Sequence, residues 1–204
     1  MKRLFTFLFF TIIIPSLAWS QNESSETVLP GYPEKGDSEF SVQLGYNTSS
    51  LTSDDIDETE TTSGLYVGGK ASFYWSSRWS FTTGLYYDQK GSGVEGSGAD
   101  FKLNYLTVPL NLNWHFGRNR RWNLNFGPSV ALFLSGSEAA SFIEDDINSV
   151  DIGLDLGIGH KIPVGSNYIQ ISLNGSGGFA DIFKNNNNAA IRNARNNIAV
   201  GFIF

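Results

Sequence analysis

Apolar and polar residues alternate one for one over long stretches of this chain, most plainly in a hairpin. From Leu106 to Phe116 the apolar positions are Leu106, Val108, Leu110, Leu112, Trp114 and Phe116, with Thr107, Pro109, Asn111, Asn113 and His115 between them. A basic turn, Gly117 to Arg121, follows, and the alternation resumes through Trp122, Leu124, Phe126, Pro128, Val130 and Leu132. Successive side chains of an extended strand point to opposite faces, so a period of two predicts strands with one greasy and one polar side. Strands of roughly ten residues are what a barrel needs to cross a bilayer.

The same pattern recurs along the chain. Its outward rows are Phe40, Val42, Leu44, Tyr46; Leu65, Val67, Ala71, Phe73, Trp75; Trp79, Phe81, Leu85, Tyr87; Ile152, Leu154, Leu156, Ile158, Ile162; Ile169, Ile171, Leu173; and Ile198, Val200, Phe202, Phe204. With the hairpin they make eight strands. Tight connections (Ser76-Ser77-Arg78, Gly117 to Arg121, Pro163 to Asn167) alternate with long polar ones near 47–63, 91–102, 136–149 and 179–193. The pattern predicts an all-β fold, an eight-stranded antiparallel up-and-down transmembrane β-barrel with short periplasmic turns and longer extracellular loops. Ser137 to Ile147 has helical spacing and is expected to form a turn of helix.

The chemistry of the polar face decides which side is wet. A water-soluble barrel keeps its apolar face inside and its outer face charged. Here the polar positions are mostly Asn, Ser and Gly, compact groups suited to a narrow interior. The charges among them, Lys70, Asp88, Lys90, Asp151, Asp155 and Lys161, have both signs. An unpaired charge there is costly, so they are expected to pair in an internal network that fills the lumen. Trp75, Trp79, Trp114 and Trp122 all flank tight turns. Tryptophan favours the membrane–water boundary, so these read as an aromatic girdle at the periplasmic side.

Composition narrows the setting. Lys2 and Arg3, an apolar run from Leu4 to Leu17 interrupted by Pro15, and Ala18-Trp19-Ser20 together read as a signal peptide over 1–20. Residues 21–37 are polar and aperiodic, a flexible periplasmic leader, and 38–204 form the barrel domain. The expected location is the cell outer membrane after Sec-dependent export. The net charge of −6 argues against a nucleic-acid partner. With no cysteine the chain has neither disulfides nor a lipidated cysteine. Phe202 and Phe204 end an alternating strand, a pattern similar to the C-terminal signal read by the barrel-assembly machinery.

Four segments, Gly84 to Gly91, Leu103 to Leu110, Phe126-Gly127-Pro128 and Asp151 to Gly159, carry the patterns Y-x-Q-K-G, L-x-Y-L-x-x-P-L, G-P and D-x-G-x-x-x-G-x-G. In these, and from about Phe40 to the end, the chain resembles the PorT-type outer-membrane β-barrel family of Gram-negative bacteria. Asn113-Trp114 departs from it, since members often carry Lys followed by aromatics there. The resemblance implies the fold and the membrane, and an accessory role in type IX secretion for some members. Physically, Pro109 lacks a ladder donor and predicts a bulge or kink nearby. Gly153, Gly157 and Gly159 are expected to clear space for Tyr105, Tyr86 or Tyr66.

Catalytic candidates are few. His115 is expected in the lumen and His160 on the outer wall, both near the periplasmic end. A lipid A-modifying enzyme needs its His, Ser and carboxylate near the outer leaflet, so no catalytic residue, cofactor or metal ligand is assigned. Asp54, Asp55, Asp57, Glu58 and Glu60, and Glu144, Asp145 and Asp146, lack EF-hand spacing and read as solvated loops. The Asn185 to Asn188 run reads as a loop tip. Arg192, Arg195 and Lys184 are candidates to meet lipopolysaccharide phosphates at the mouth. The expected partners are outer-membrane lipid and lipopolysaccharide, the barrel-assembly machinery during biogenesis, and, for a PorT-like role, secretion-system proteins. The leading expectation is a small non-enzymatic outer-membrane barrel with a structural or interaction role at the cell surface.

Overall fold

Each row of alternating residues is a strand in the computed structural model, which describes residues 33–53, 60–93, 100–137, 140, 145–184 and 190–204. The strands are β1 (Ser38–Thr52), β2 (Thr62–Ser76), β3 (Trp79–Gly93), β4 (Asp100–Phe116), β5 (Trp122–Gly136), β6 (Val150–Val164), β7 (Asn167–Gly178) and β8 (Arg192–Ile203). Each pairs antiparallel with the next, and β8 pairs back onto β1, for example Leu44 with Val200, closing the barrel. Closure leaves no edge strand, which hydrocarbon demands because it offers unpaired amides no partner. Residues 1–20, read above as a signal peptide, most of the expected leader, Asp54, Asp55, Asp57, Glu58, Glu144 and the Asn185 to Asn188 run lie outside the described residues.

The wall is greasy outside and polar inside. Leu44, Leu85, Leu154, Leu173 and Val200 are each at least half exposed, whereas Asn47, Ser80 and Asp88 are fully buried. A protein in water does the reverse. An unbroken apolar belt of this kind is stable only against an apolar solvent. The strands, 12 to 17 residues long, exceed the length needed to span hydrocarbon. β1 runs six residues past Tyr46, so the first loop is shorter than the alternation of greasy residues suggests. Thr48 and Ser50 keep the ladder while leaving the apolar belt.

Two local expectations are corrected. The register is unchanged across Pro109, which pairs with Ser129; the irregularity falls between Asn104 and Tyr105, opposite Phe133 to Ser135. The glycines of β6 do not make room for tyrosines. A Cβ on Gly157 would meet Asn174 Oδ1 and Asn125 Nδ2, and one on Gly159 would meet Gln170 Nε2 and Asn123 Oδ1. The residue that clears space for Tyr86 is Gly68, where a Cβ would lie 2.6 Å from the Tyr86 ring. In the third loop Ala140 and Asp145–Asp146 have 3₁₀ conformation, and 138–139 and 141–144 lie outside the described residues.

Candidate functional site

Inward-facing side chains fill the lumen in tiers. At the turn end, Lys161 Nζ binds both carboxylate oxygens of Glu39, Tyr74 OH donates to Glu39 Oε2 (2.7 Å), and Lys161 also reaches Tyr74 OH (2.9 Å). Beside them Ser80 Oγ lies 2.9 Å from His115 Nε2. Above this tier Lys70 donates to Gln170 Oε1 (3.2 Å), and Gln170 Nε2 to Asn123 Oδ1 (3.0 Å).

The middle tier is centred on one guanidinium. Arg195 Nη1 is 2.7 Å from Asp88 Oδ2, and Nη2 is 4.0 Å from Asp155 Oδ1. Asp88 also accepts from Asn47 Nδ2 (2.6 Å) and Thr107 Oγ1 (3.3 Å), and Asp155 from Ser129 Oγ (3.1 Å). Tyr66 stacks on Tyr86 at 4.5 Å, with Arg195 over the Tyr66 ring. One level higher, Lys90 pairs with Asp151 at 3.1 Å, and Asn193 Nδ2 donates to Asp151 Oδ2 (3.0 Å).

The loop end is closed by an apolar cap. Leu51, Phe101, Leu103 and Tyr105 from the strands pack with Ala140, Ile147 and Ile182 from the third and fourth loops. The two loops are tied together: Ile147 and Phe183 form an isolated antiparallel bridge, Asn148 N donates to Ile182 O (2.8 Å), and Asn148 Nδ2 to Asp181 O (2.8 Å). Below the cap lie polar voids with volumes of about 10 to 40 Å³. Room of that size holds isolated waters, not a file of them. The void of about 40 Å³ is bordered by Gln43 Nε2, Asn111 Oδ1 and Arg195 Nε, which have no hydrogen-bond partner among the described residues.

Of the six charged residues read as a network, the structure joins Lys90 to Asp151 and brings Asp88 and Asp155 to a shared cation, Arg195. Lys161 pairs outside that set, with Glu39, and Lys70 meets an amide and no carboxylate among the described residues. Arg195 is not at the mouth. On β8 the outward positions are Ile198, Val200 and Phe202, so the opposite parity turns Asn193, Arg195 and Asn197 inward, and Arg195 is buried. Lys184 Nζ donates to the Asp145 carbonyl (2.8 Å), within the loop pair. The same parity test on Phe40 places Glu39 inward. The cap is the part that alternation alone misses, because Leu51, Phe101 and Leu103 are apolar at inward positions.

Around the turn end, aromatic rings run in sequence from β2 to β6. Successive centroid separations are 6.4 Å (Trp75–Trp79), 6.4 Å (Trp79–Trp114), 5.0 Å (Trp114–Phe116), 6.4 Å (Phe116–Trp122) and 4.4 Å (Trp122–His160). Phe202 and Phe204 meet edge to face at 5.1 Å, and Phe204 N donates to Phe40 O (2.9 Å). Ser80 and His115 have the hydrogen bond of a nucleophile and its base. Ser80 is completely buried, however, and the adjoining void of about 10 Å³ has no space for an acyl substrate.

A family model described as outer membrane protein beta-barrel domain matches residues 19–184. No curated protein matches the chain. Similar solved structures include the outer membrane protein OprG from Pseudomonas aeruginosa, at 12% identity over 85% of this chain and 98% of that one, TM-score 0.49. Ail, the attachment invasion locus protein of Yersinia pestis, is 15% identical over 83% and 99% of the two chains, TM-score 0.46. Neisserial surface protein A is 17% identical over 79% and 95%, TM-score 0.46.

Proposed function

Since the chain belongs to the family of outer membrane protein beta-barrel domains and so resides in the outer membrane, we propose that it acts through its surface and not through its lumen. It is a closed, non-enzymatic barrel whose loops make contacts at the cell exterior. The supporting observation is the double obstruction of the axis, with buried ion pairs at three levels and an apolar cap over them. Current through such a lumen requires displacing Leu103, Ile147 and Ile182 and separating Lys90 from Asp151.

Recording from planar bilayers tests this. The purified protein is expected to leave the bilayer silent, and discrete current steps whose frequency rises with protein added would overturn the reading. Lipid A from cells with and without the protein is expected to have the same mass spectrum; a protein-dependent mass change would make it an enzyme. Residues 1–20 serve as the Sec export signal in this reading, and Phe202 and Phe204 as the assembly signal. A finer assignment, to the PorT-type branch and an accessory role in type IX secretion, draws on Tyr87 to Gly91 and Leu103 to Leu110. Deleting the gene decides it: lost export of proteins bearing a type IX signal supports the role, and unaltered export rejects it.

A further inference from the structure

We propose that the turn end carries a binding surface for phosphates of anionic phospholipids in the leaflet it faces, formed by Arg78, Arg118 and Arg120 beside the aromatic arc. The inference rests on the membrane-spanning reading and adds a ligand and a location to it.

The first observation is the coincidence of rings and cations. The six rings from Trp75 to His160 occupy the lower edge of β2 to β6 without a break. Rings with an apolar body and a polar tip settle at headgroup depth. The turns directly beyond those rings hold Arg78 and the Gly117 to Arg121 segment, and the first is tied to the end of β4 that leads into the second, since His115 N donates to Arg78 O at 2.7 Å. The third turn, Gly165-Ser166, lies outside the arc and has no charge. The turns that carry these arginines are therefore placed at headgroup depth, next to the rings.

The second observation is that these cations stand outside the ion pairs of the lumen. Arg78, Arg118 and Arg120 pair with no carboxylate among the described residues, whereas the lumen cations Lys90, Lys161 and Arg195 each have one. Arg118 is exposed and the other two are half-buried, Arg120 at the rim of the small void at the foot of the lumen beside Glu39 and Lys161. A guanidinium matches phosphate through two parallel N–H donors, which a lysine cannot offer. The chain as a whole is anionic, at −6, so attraction to an anionic lipid must come from this local patch.

The third observation is backbone strain. Arg120 has φ of +50°, and every other described residue with positive φ is a glycine. Left-handed backbone is unfavourable for a residue with a Cβ. The turn nonetheless holds an arginine there, which keeps a third guanidinium at this end.

The test uses the full chain in phosphatidylcholine vesicles containing a minority of phosphatidylglycerol, with one lipid or the other brominated on its acyl chains. Tryptophan fluorescence is the readout, because bromine quenches only rings in contact with it. Brominated phosphatidylglycerol should quench, per molecule, at least roughly threefold more than brominated phosphatidylcholine, and the ratio should fall towards one between about 50 mM and about 1 M salt. R78Q/R118Q/R120Q should abolish the preference, and Lys102→Gln at the loop end should keep it. Equal quenching by the two lipids in the native protein overturns the proposal and leaves the membrane reading standing; absence of quenching by either sinks both. A preference that survives in the triple variant, or is indifferent to salt in the native protein, also overturns it. The salt series decides the matter should the variant fail to fold.

Discussion

Arg195 and Asp88 meet across the lumen from β8 and β3, Nη1 to Oδ2 at 2.7 Å, with both side chains shut off from solvent. Removing two ions from water is compensated only when the remaining lone pairs are filled, and here Asn47 and Thr107 fill those of Asp88. Arg195→Ala leaves Asp88 and Asp155 without their cation, and is expected to cost about 3–5 kcal/mol. Asp155→Asn, which loses only the 4.0 Å contact, is expected to cost less. D88L/R195M should recover part of the loss, because the charge of Asp88 is removed with that of Arg195 while Asp155 still lacks its cation. Urea unfolding of the vesicle-inserted protein checks this series; an unshifted midpoint for Arg195→Ala refutes it.

Adjacent glycines on β2 give a second prediction. Gly68 faces inward, and a Cβ there would come within 2.2 Å of the Leu85 carbonyl and 2.7 Å of Tyr86 Cα, both backbone atoms of β3. Gly69 faces the lipid, where a Cβ would meet only Ser41 O at an ordinary 3.5 Å. Gly68→Ala should therefore force β2 from β3 and destabilise by about 1–3 kcal/mol or more. Gly69→Ala should be neutral or slightly stabilising, since alanine loses less entropy in a strand. Heat-modifiable migration in gels compares them, and equal behaviour of the two variants contradicts the assigned faces.

These residues show how far a period of two carries. Alternation assigns every outward row, because Leu44, Leu110 and Leu154 differ sharply from their neighbours. It assigns Glu39 and Arg195 to the lumen by parity once the flanking greasy residues are fixed. It cannot say which carboxylate meets which cation: Asp88 and Arg195 are 107 residues apart, and their meeting depends on barrel closure and strand stagger. The cap was illegible for a different reason. Leu103 at an inward position looks like a break in the pattern until Ile147 and Ile182 arrive from two loops to cover it.

The cap and the ion-pair tiers are separate obstructions, which yields a third prediction. Leu103 is completely buried, and Leu103→Ala leaves a cavity worth about 2–5 kcal/mol of lost stability. It should not open a pore, because Lys90 and Asp151 remain joined beneath it. Unfolding midpoints and bilayer recordings of this one variant check both halves. A lowered midpoint with a silent bilayer is expected; current steps would show that the cap alone closes the lumen.

Arg120 offers the sharpest separation of stability from binding. Its φ of +50° is a conformation that glycine adopts without penalty, and Gly117 at +84° already does so in the same turn. Arg120→Gly should therefore relieve strain at the turn and raise stability by about 1 kcal/mol. If the side chain only decorates the turn, nothing else should change. If it holds lipid phosphate, the same substitution must weaken the preference for brominated phosphatidylglycerol while the protein becomes harder to unfold. Opposite movement of the two readouts is the expected result. A variant that is less stable, or equally stable with its lipid preference intact, would show that the arginine is kept for another reason.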